Sequence, residues 1–377
     1  MKIVIAPDSF KGSMSSVEAA KAIRAGILRV YPDAETVELP VADGGEGTLE
    51  TLIAATNGIV VPVNVRGPLG TVVKGEYGVL GDRKTCVIEM AKASGLSLVS
   101  VTELDPLKAT TYGTGQMIKQ ALDDGYKSFI LALGGSATND GGAGMLQALG
   151  IKLLDGDGVE VGHGGAEVIR VSSIDLSGFD SRIKDCEFLI ASDVQNPFTG
   201  PEGASYVFGP QKGATQADVE HLDQCLSNFA DVIKRTTGVQ LHDMPGAGAA
   251  GGIGGAFLAF FPARMKRGID VVIEYTKLSE KLEGAELVIT GEGRVDFQTA
   301  SGKTPMGVAQ AAARQGIPTI ILAGAVGTGI EGLYENGVVS IHSIITRPLE
   351  LHEAIESARE LTEFASEQVV RSFFYRS

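Results

Sequence analysis

Five short stretches of the chain pair glycine or a strand-ending turn with side chains able to hold or move an anionic group: "PDSFKGS" at 7–13, "ADGGEGT" at 42–48, "GGSATNDGG" at 134–142, "ASDVQNP" at 191–197 and "GEGRVDFQTASGK" at 291–303. The third is the richest. Its glycines permit positive φ and close approach, successive N–H groups can form a concave donor surface, and the helix signal that follows would present its positive end. Gly134, Gly135, Ser136, Thr138 and Asn139 are therefore candidate phosphate-binding residues; a turn in which glycine only permits tight packing is the competing reading. Lys11 and Lys303 are candidate phosphate cations, against the commoner solvated surface lysine. Asp8, Asp43, Glu46, Asp140, Asp193 and Asp296 are candidate acids, and each could instead cap a turn or helix. Asp140 is the most cap-like of them. Asp296 is the least, because a long loop is expected between it and the next helix.

Familiar fingerprints fail on inspection. Gly302-Lys303-Thr304 resembles the end of a Walker A loop, but the position five residues before Gly302 is Phe297. Gly246 to Gly251 spells GxGxxG after "LHDMP", which is no strand, so a dinucleotide site is not expected. The histidines form no zinc pattern. Cys86, Cys186 and Cys225 are widely spaced and odd in number, which suits a reducing cytoplasm.

The elements that must position these loops read as an α/β protein. At 377 residues two domains are expected. Ile3 to Ala6 form a continuous apolar strand of the kind covered on both faces, and Ser15 with Glu18 makes a capping box before a helix. Strand–loop–helix units recur at 36–53 and at 286–346, with strands at 286–290, 319–326 and 338–346, a loop at 291–305 in which Thr304-Pro305 caps and starts a helix, and a last helix from about Glu350. These are parts of a doubly wound parallel sheet, and in such sheets ligands bind outside the carboxyl ends of the strands. Residues 59–90 suggest antiparallel hairpins, 111–124 a helix, and the remainder to 280 mixed α/β. We expect one domain from 1–58 plus 281–377, with 59–280 inserted. The net charge of −14 leaves no basic face for nucleic acid or an anionic membrane, and no apolar stretch is long enough to span a bilayer.

Taken together, "APDSFKGSMSS", "ADGGEGT", "IEMAKASGL", "GTGQMI", "GGSATNDGGAGMLQALG", "DVQNPFTGPEGA", "FGPQKGA" and "GEGRVDFQTASGK" resemble the bacterial glycerate kinase family of the glycerate 2-kinase type, from residue 1 to past 340. The resemblance implies a flavodoxin-like domain with an inserted domain likened to the restriction-endonuclease fold, and ATP-dependent phosphorylation of D-glycerate to 2-phosphoglycerate. ATP, Mg²⁺ and D-glycerate are the implied ligands. A homodimer is the oligomer left open.

Within that frame the 134–142 loop is assigned to the ATP phosphates, with Lys11 or Lys303 reaching the γ-phosphate. Asp43, Glu46 and Asp193 would hold Mg²⁺ or the glycerate hydroxyls, Asp296 would be the base, and Arg294 or Ser9 would meet the glycerate carboxylate, with Asp8 also at the substrate. Phosphorylation at the 3-position, or another small-molecule phosphotransfer on the same scaffold, is the alternative. A binding protein without turnover is the weaker one.

Overall fold

The computed structural model describes residues 1–375, which form two compact units. The strands in chain order are β1 (Lys2–Ile5), β2 (Glu35–Glu38), β3 (Ile59–Arg66), β4 (Val72–Val79), β5 (Thr85–Glu89), β6 (Ser128–Ala132), β7 (Lys152–Leu154), β8 (Ser173–Asp175), β9 (Glu187–Ala191), β10 (Ala263–Lys266), β11 (Leu287–Val295), β12 (Thr319–Val326) and β13 (Val338–Ser343). The first unit comprises 1–43, 50–56 and 268–377; the second comprises 44–49 and 57–267.

The first unit is a five-stranded sheet in the order β13-β12-β11-β1-β2, parallel throughout. Numbered within the unit this is 2-1-3-4-5, the flavodoxin-like order, and its switch point falls between β1 and β11. β1 is the apolar strand expected from the sequence, with Ile3, Val4 and Ile5 fully buried. One face packs on Ala20, Ile23 and Ile27 of the helix Ser16–Val30 and on Val369 and Val370 of the helix Ala358–Phe373. The Ser15–Glu18 capping box starts the first of these helices. Gly26 lets it approach the second closely, since a Cβ there would stand 2.2 Å from the Glu363 carbonyl oxygen. On the opposite side of the sheet, Val295 of β11 and Ile321 and Ala323 of β12 pack on Met306, Ala309 and Leu333.

Three expectations are corrected in this unit. The segment 268–280, assigned above to the insertion, belongs here: Ile269 packs against Gly307, where any side chain would clash. The strand expected to stop at 290 runs on to Val295, so Glu292 and Arg294 stand on β11 and not in a loop. Finally, Lys303 is the N-cap of the helix Thr304–Ala313, one residue before the expected cap.

The second unit is a six-stranded sheet in the order β10-β9-β6-β5-β4-β3, with β7 and β8 paired apart from it. β3 and β4 form the antiparallel hairpin expected over 59–90, and β5, β6, β9 and β10 run parallel. Its core is aromatic at the centre, where Phe129 and Phe188 stack at 4.7 Å and Phe257 and Phe261 pack nearby. The "SFILAL" run becomes β6, with Phe129 to Ala132 buried. The loop 44–49, expected in the first domain, belongs to this second unit. Among the described residues no helix is long and apolar enough to cross a membrane.

Candidate active site

In the first unit a cavity of about 310 Å³ opens at the carboxyl ends of β1 and β11, at the switch point. It gathers Asp8, Ser9, Lys11, Asp43, Arg294, Asp296 and Lys303, all named from the sequence, with Glu292 and Gln298 added by the structure. Backbone pairing fixes the entry: Ala6 N donates to the Ile289 carbonyl and Asp8 N to the Gly291 carbonyl, both at 2.8 Å. The Asp8 side chain is 6% exposed and accepts from Ser9 N at 2.6 Å. Burial, then the charge of Asp43, push its carboxyl up to about 7, while the Lys11 ammonium pulls the other way. Lys11 Nζ lies 3.3 Å from Asp43 Oδ2 with its stem exposed, and that carboxylate raises the lysine above its ordinary range. Glu292 is raised chiefly by burial and accepts from the Thr299 hydroxyl. A buried acid titrating near neutrality, beside a second acid and an exposed ammonium, is a proton-accepting and anion-holding arrangement.

Asp296 is placed differently from the sequence expectation. It is the N-cap of the four-residue helix Phe297–Ala300: Oδ1 accepts from Gln298 N at 2.9 Å, and Oδ2 pairs with Arg294 Nε at 3.1 Å. The acid judged least cap-like is therefore a cap. Lys303 Nζ donates to Gln298 Oε1 at 2.8 Å at the same rim.

In the second unit the loops leaving β5, β6 and β9 follow neighbouring parallel strands. The 134–142 loop divides in two. From Thr138 to Gly142 it is buried. Asp140 accepts from Thr111 N at 2.8 Å, Gly142 N at 3.1 Å and Gly144 N at 3.2 Å, which makes it the plain cap expected. Gly142 and Gly144 are packing glycines, since a Cβ would meet Ala256 Cβ at 2.6 Å and Thr110 Oγ1 at 2.1 Å. Gly251, from the GxGxxG look-alike, packs on the Thr138 carbonyl in the same way. The packing reading thus holds for this half of the loop, which includes Thr138 and Asn139. The start of the loop is reachable at Gly134 and Gly135, the latter exposed at φ +65°, while Ser136 just behind them is buried. Gly134 packs on the backbone of Gly45, and Glu46 Oε2 lies close to Gly135. An acid at that turn disfavours a bare polyphosphate and suits one that arrives with a divalent cation. Asp193 stands half-buried just past the end of β9.

Glu89, at the end of β5, was missed. It is fully buried and accepts from Gly47 N and Leu49 N, which holds the "ADGGEGT" loop to the sheet. Burial pushes its carboxyl from 4.5 to about 7. A carboxyl raised on folding contributes stability that is full below the unfolded pKa and lost as pH rises through the folded one. Between about pH 4.5 and pH 7 the parent protein is therefore expected to lose stability relative to Glu89→Gln, by on the order of 3 kcal/mol. Urea titrations of both proteins at pH 5 and pH 8 read this difference; an equal response to pH would mean that Glu89 stays ionised in the fold.

Two further residues were missed. Glu292 sat inside a stretch taken for loop. Lys212 lay in "FGPQKGA", and the only sequence signal was a lysine flanked by turn residues. Among the described residues no group of three or more His, Cys, Asp or Glu is placed to hold a metal by itself. Magnesium does not require one, because it is commonly held by one or two carboxylates together with substrate phosphates. Asp43, which lines the cleft, fits that demand.

The model of the glycerate kinase family matches residues 3–374. A glycerate kinase of Bacillus subtilis (strain 168) is 50% identical over 372 residues, covering 99% of this chain and 97% of that one. The glycerate 2-kinase of Escherichia coli (strain K12) is 49% identical over 358 residues, covering 95% and 94%. The crystal structure assigned to glycerate kinase 2 of Salmonella typhimurium LT2 superposes with a TM-score of 0.87 at 47% identity, covering 99% of this chain and 98% of that one.

Proposed function

Because this chain belongs to the glycerate kinase family, we propose that it transfers the γ-phosphoryl group of ATP to the 2-hydroxyl of D-glycerate. The observation that carries the chemistry is the cleft at the β1/β11 switch point, where a buried acid, a second acid and two lysines line one cavity. The choice of the 2-hydroxyl rests on the likeness to the Escherichia coli glycerate 2-kinase.

Phosphoryl transfer needs in-line placement, cationic stabilisation of the equatorial oxygens and a group that takes the hydroxyl proton. We assign the proton to the Asp8 carboxylate. Asp296, assigned above as the base, has both oxygens engaged as a cap and an ion pair, so its role becomes positioning: it fixes Arg294, whose guanidinium is suited to the glycerate carboxylate, with the Ser9 hydroxyl as a second donor. Lys11 and Lys303 supply the charge at the transferring group. Asp43 holds Lys11 in place and would hold magnesium, which when bound would neutralise charge on the phosphate oxygens. In the second unit we assign nucleotide phosphates to Gly134–Ser136, with Glu46 and Asp193 as the acids available to a phosphate-bound cation. The cytoplasm suits the reaction, since Cys86, Cys186 and Cys225 are all free and buried.

ADP release measured with and without D-glycerate tests the reading. Release that depends on D-glycerate is expected; ATP consumption indifferent to it would point to another phosphotransfer.

A further inference from the structure

The mechanism above leaves a buried lysine unused. Lys212 ends the turn Pro210–Lys212 and is 1% exposed, and its ammonium donates to Ser136 Oγ at 2.8 Å and to the Thr138 carbonyl at 2.6 Å. Both acceptors are neutral. Asp140 is the one charged group that acts on it, and that carboxylate is occupied by Thr111, Gly142 and Gly144. Burial accordingly pulls the lysine down to about 7. Beside it, Thr138 Oγ1 and Asn139 Oδ1 are buried without a hydrogen-bond partner. A buried ammonium with no carboxylate paired to it, next to two unsatisfied polar atoms, is unfavourable in a closed protein and points to a group supplied from outside. Ser136 links this cluster to the reachable turn at Gly135.

We propose that Lys212 is a positioning residue for nucleotide binding: through Ser136 and the Thr138 carbonyl it sets the turn Gly134–Ser136 and places a positive charge beneath the phosphates bound there. The inference rests on the reading above that this turn meets the nucleotide. A charge acting on phosphates must matter more as phosphates are added, whereas a lysine that only props up the loop would affect all nucleotides alike.

Calorimetric binding of ATP, ADP, AMP and adenosine to the full chain separates these cases in Lys212→Met, Ser136→Ala and Gly135→Val. Lys212→Met is expected to weaken ATP by roughly 10- to 100-fold, the scale of a lost charge-assisted contact, with smaller losses for ADP and AMP and adenosine within about twofold. Ser136→Ala, which retains the lysine, should show the same gradation at smaller amplitude. An equal loss for adenosine and ATP overturns the inference. So does parent-like ATP binding by Lys212→Met when Gly135→Val has lost it, an outcome that leaves the loop assignment standing. If Gly135→Val also binds ATP like the parent, the turn does not meet the nucleotide and both readings fall. Should Lys212→Met not fold, Lys212→Gln, which keeps a donor for the Ser136 hydroxyl and the Thr138 carbonyl without the charge, decides: graded losses support the inference and parent-like affinities overturn it.

Discussion

Replacing Asp8 by Asn is expected to slow the chemical step by roughly 100- to 10,000-fold while ATP affinity changes little, the usual contribution of a positioned acid or base. Asn preserves shape and can still accept from Ser9 N, so the loss isolates proton transfer. The parent enzyme should also show kcat/KM rising with pH through about 7, because the base form of Asp8 appears only as its raised carboxyl ionises. Asp8 and Asp43 interact, so the midpoint belongs to the pair. That limb should vanish in Asp8→Asn. Asp296→Asn is the paired control: as a cap and Arg294 partner it is expected to cost about 1 kcal/mol of stability and to raise the glycerate KM more than it lowers the single-turnover rate. If instead Asp296→Asn abolishes the chemical step and Asp8→Asn does not, the base is Asp296 after all.

The second large effect is expected at Lys11. Lys11→Met removes the ammonium held 3.3 Å from Asp43 and should lower kcat by roughly 100- to 1,000-fold, the scale of a lost electrostatic donor at a developing charge. It should also move the pH limb. The Lys11 charge lowers the Asp8 pKa, so its removal raises that pKa and the active base form appears only at higher pH. A pH–rate profile of the residual activity reads the sign directly. A normal rate with an unmoved midpoint would make Lys11 a surface lysine. An acid shift would contradict the charge arrangement drawn for the cleft.

Much of this site was legible in one dimension because parallel α/β sheets deliver loops at the carboxyl ends of apolar strands. The apolar run that stops at Pro7 marked the strand whose end carries Asp8, Ser9 and Lys11, and the Ser15–Glu18 box marked the next helix. The failures have physical reasons. Gly291 and Gly293 were read as loop punctuation, but Gly291 lies inside β11, where glycine is required because the Leu322 carbonyl of β12 would stand 2.3 Å from any Cβ. Glu292 was lost with them. Asp296 caps a helix of only four residues, too short to leave a periodic signal. The domain boundary near 268 depends on the contact between Ile269 and Gly307, distant in sequence. Burial of Glu89 and Lys212 is a tertiary property: alone in the sequence each is an ordinary charged residue.

The division of the 134–142 loop shows the same limit. Glycine is required at Gly144 by a neighbour from another part of the chain, at Gly142 by such a neighbour and a positive φ together, and at Gly135 by a positive φ at an exposed turn. The letters are identical, and only the surroundings distinguish a glycine that admits a neighbour from one free to admit a ligand.

Phosphorus NMR of the product formed from ATP, Mg²⁺ and D-glycerate tests the central assignment most directly, because the two phosphate esters of glycerate give distinct signals. The expected result is 2-phosphoglycerate formed in step with ADP. A dominant 3-phosphoglycerate signal would contradict transfer to the 2-hydroxyl, and inorganic phosphate alone would contradict transfer to glycerate at all.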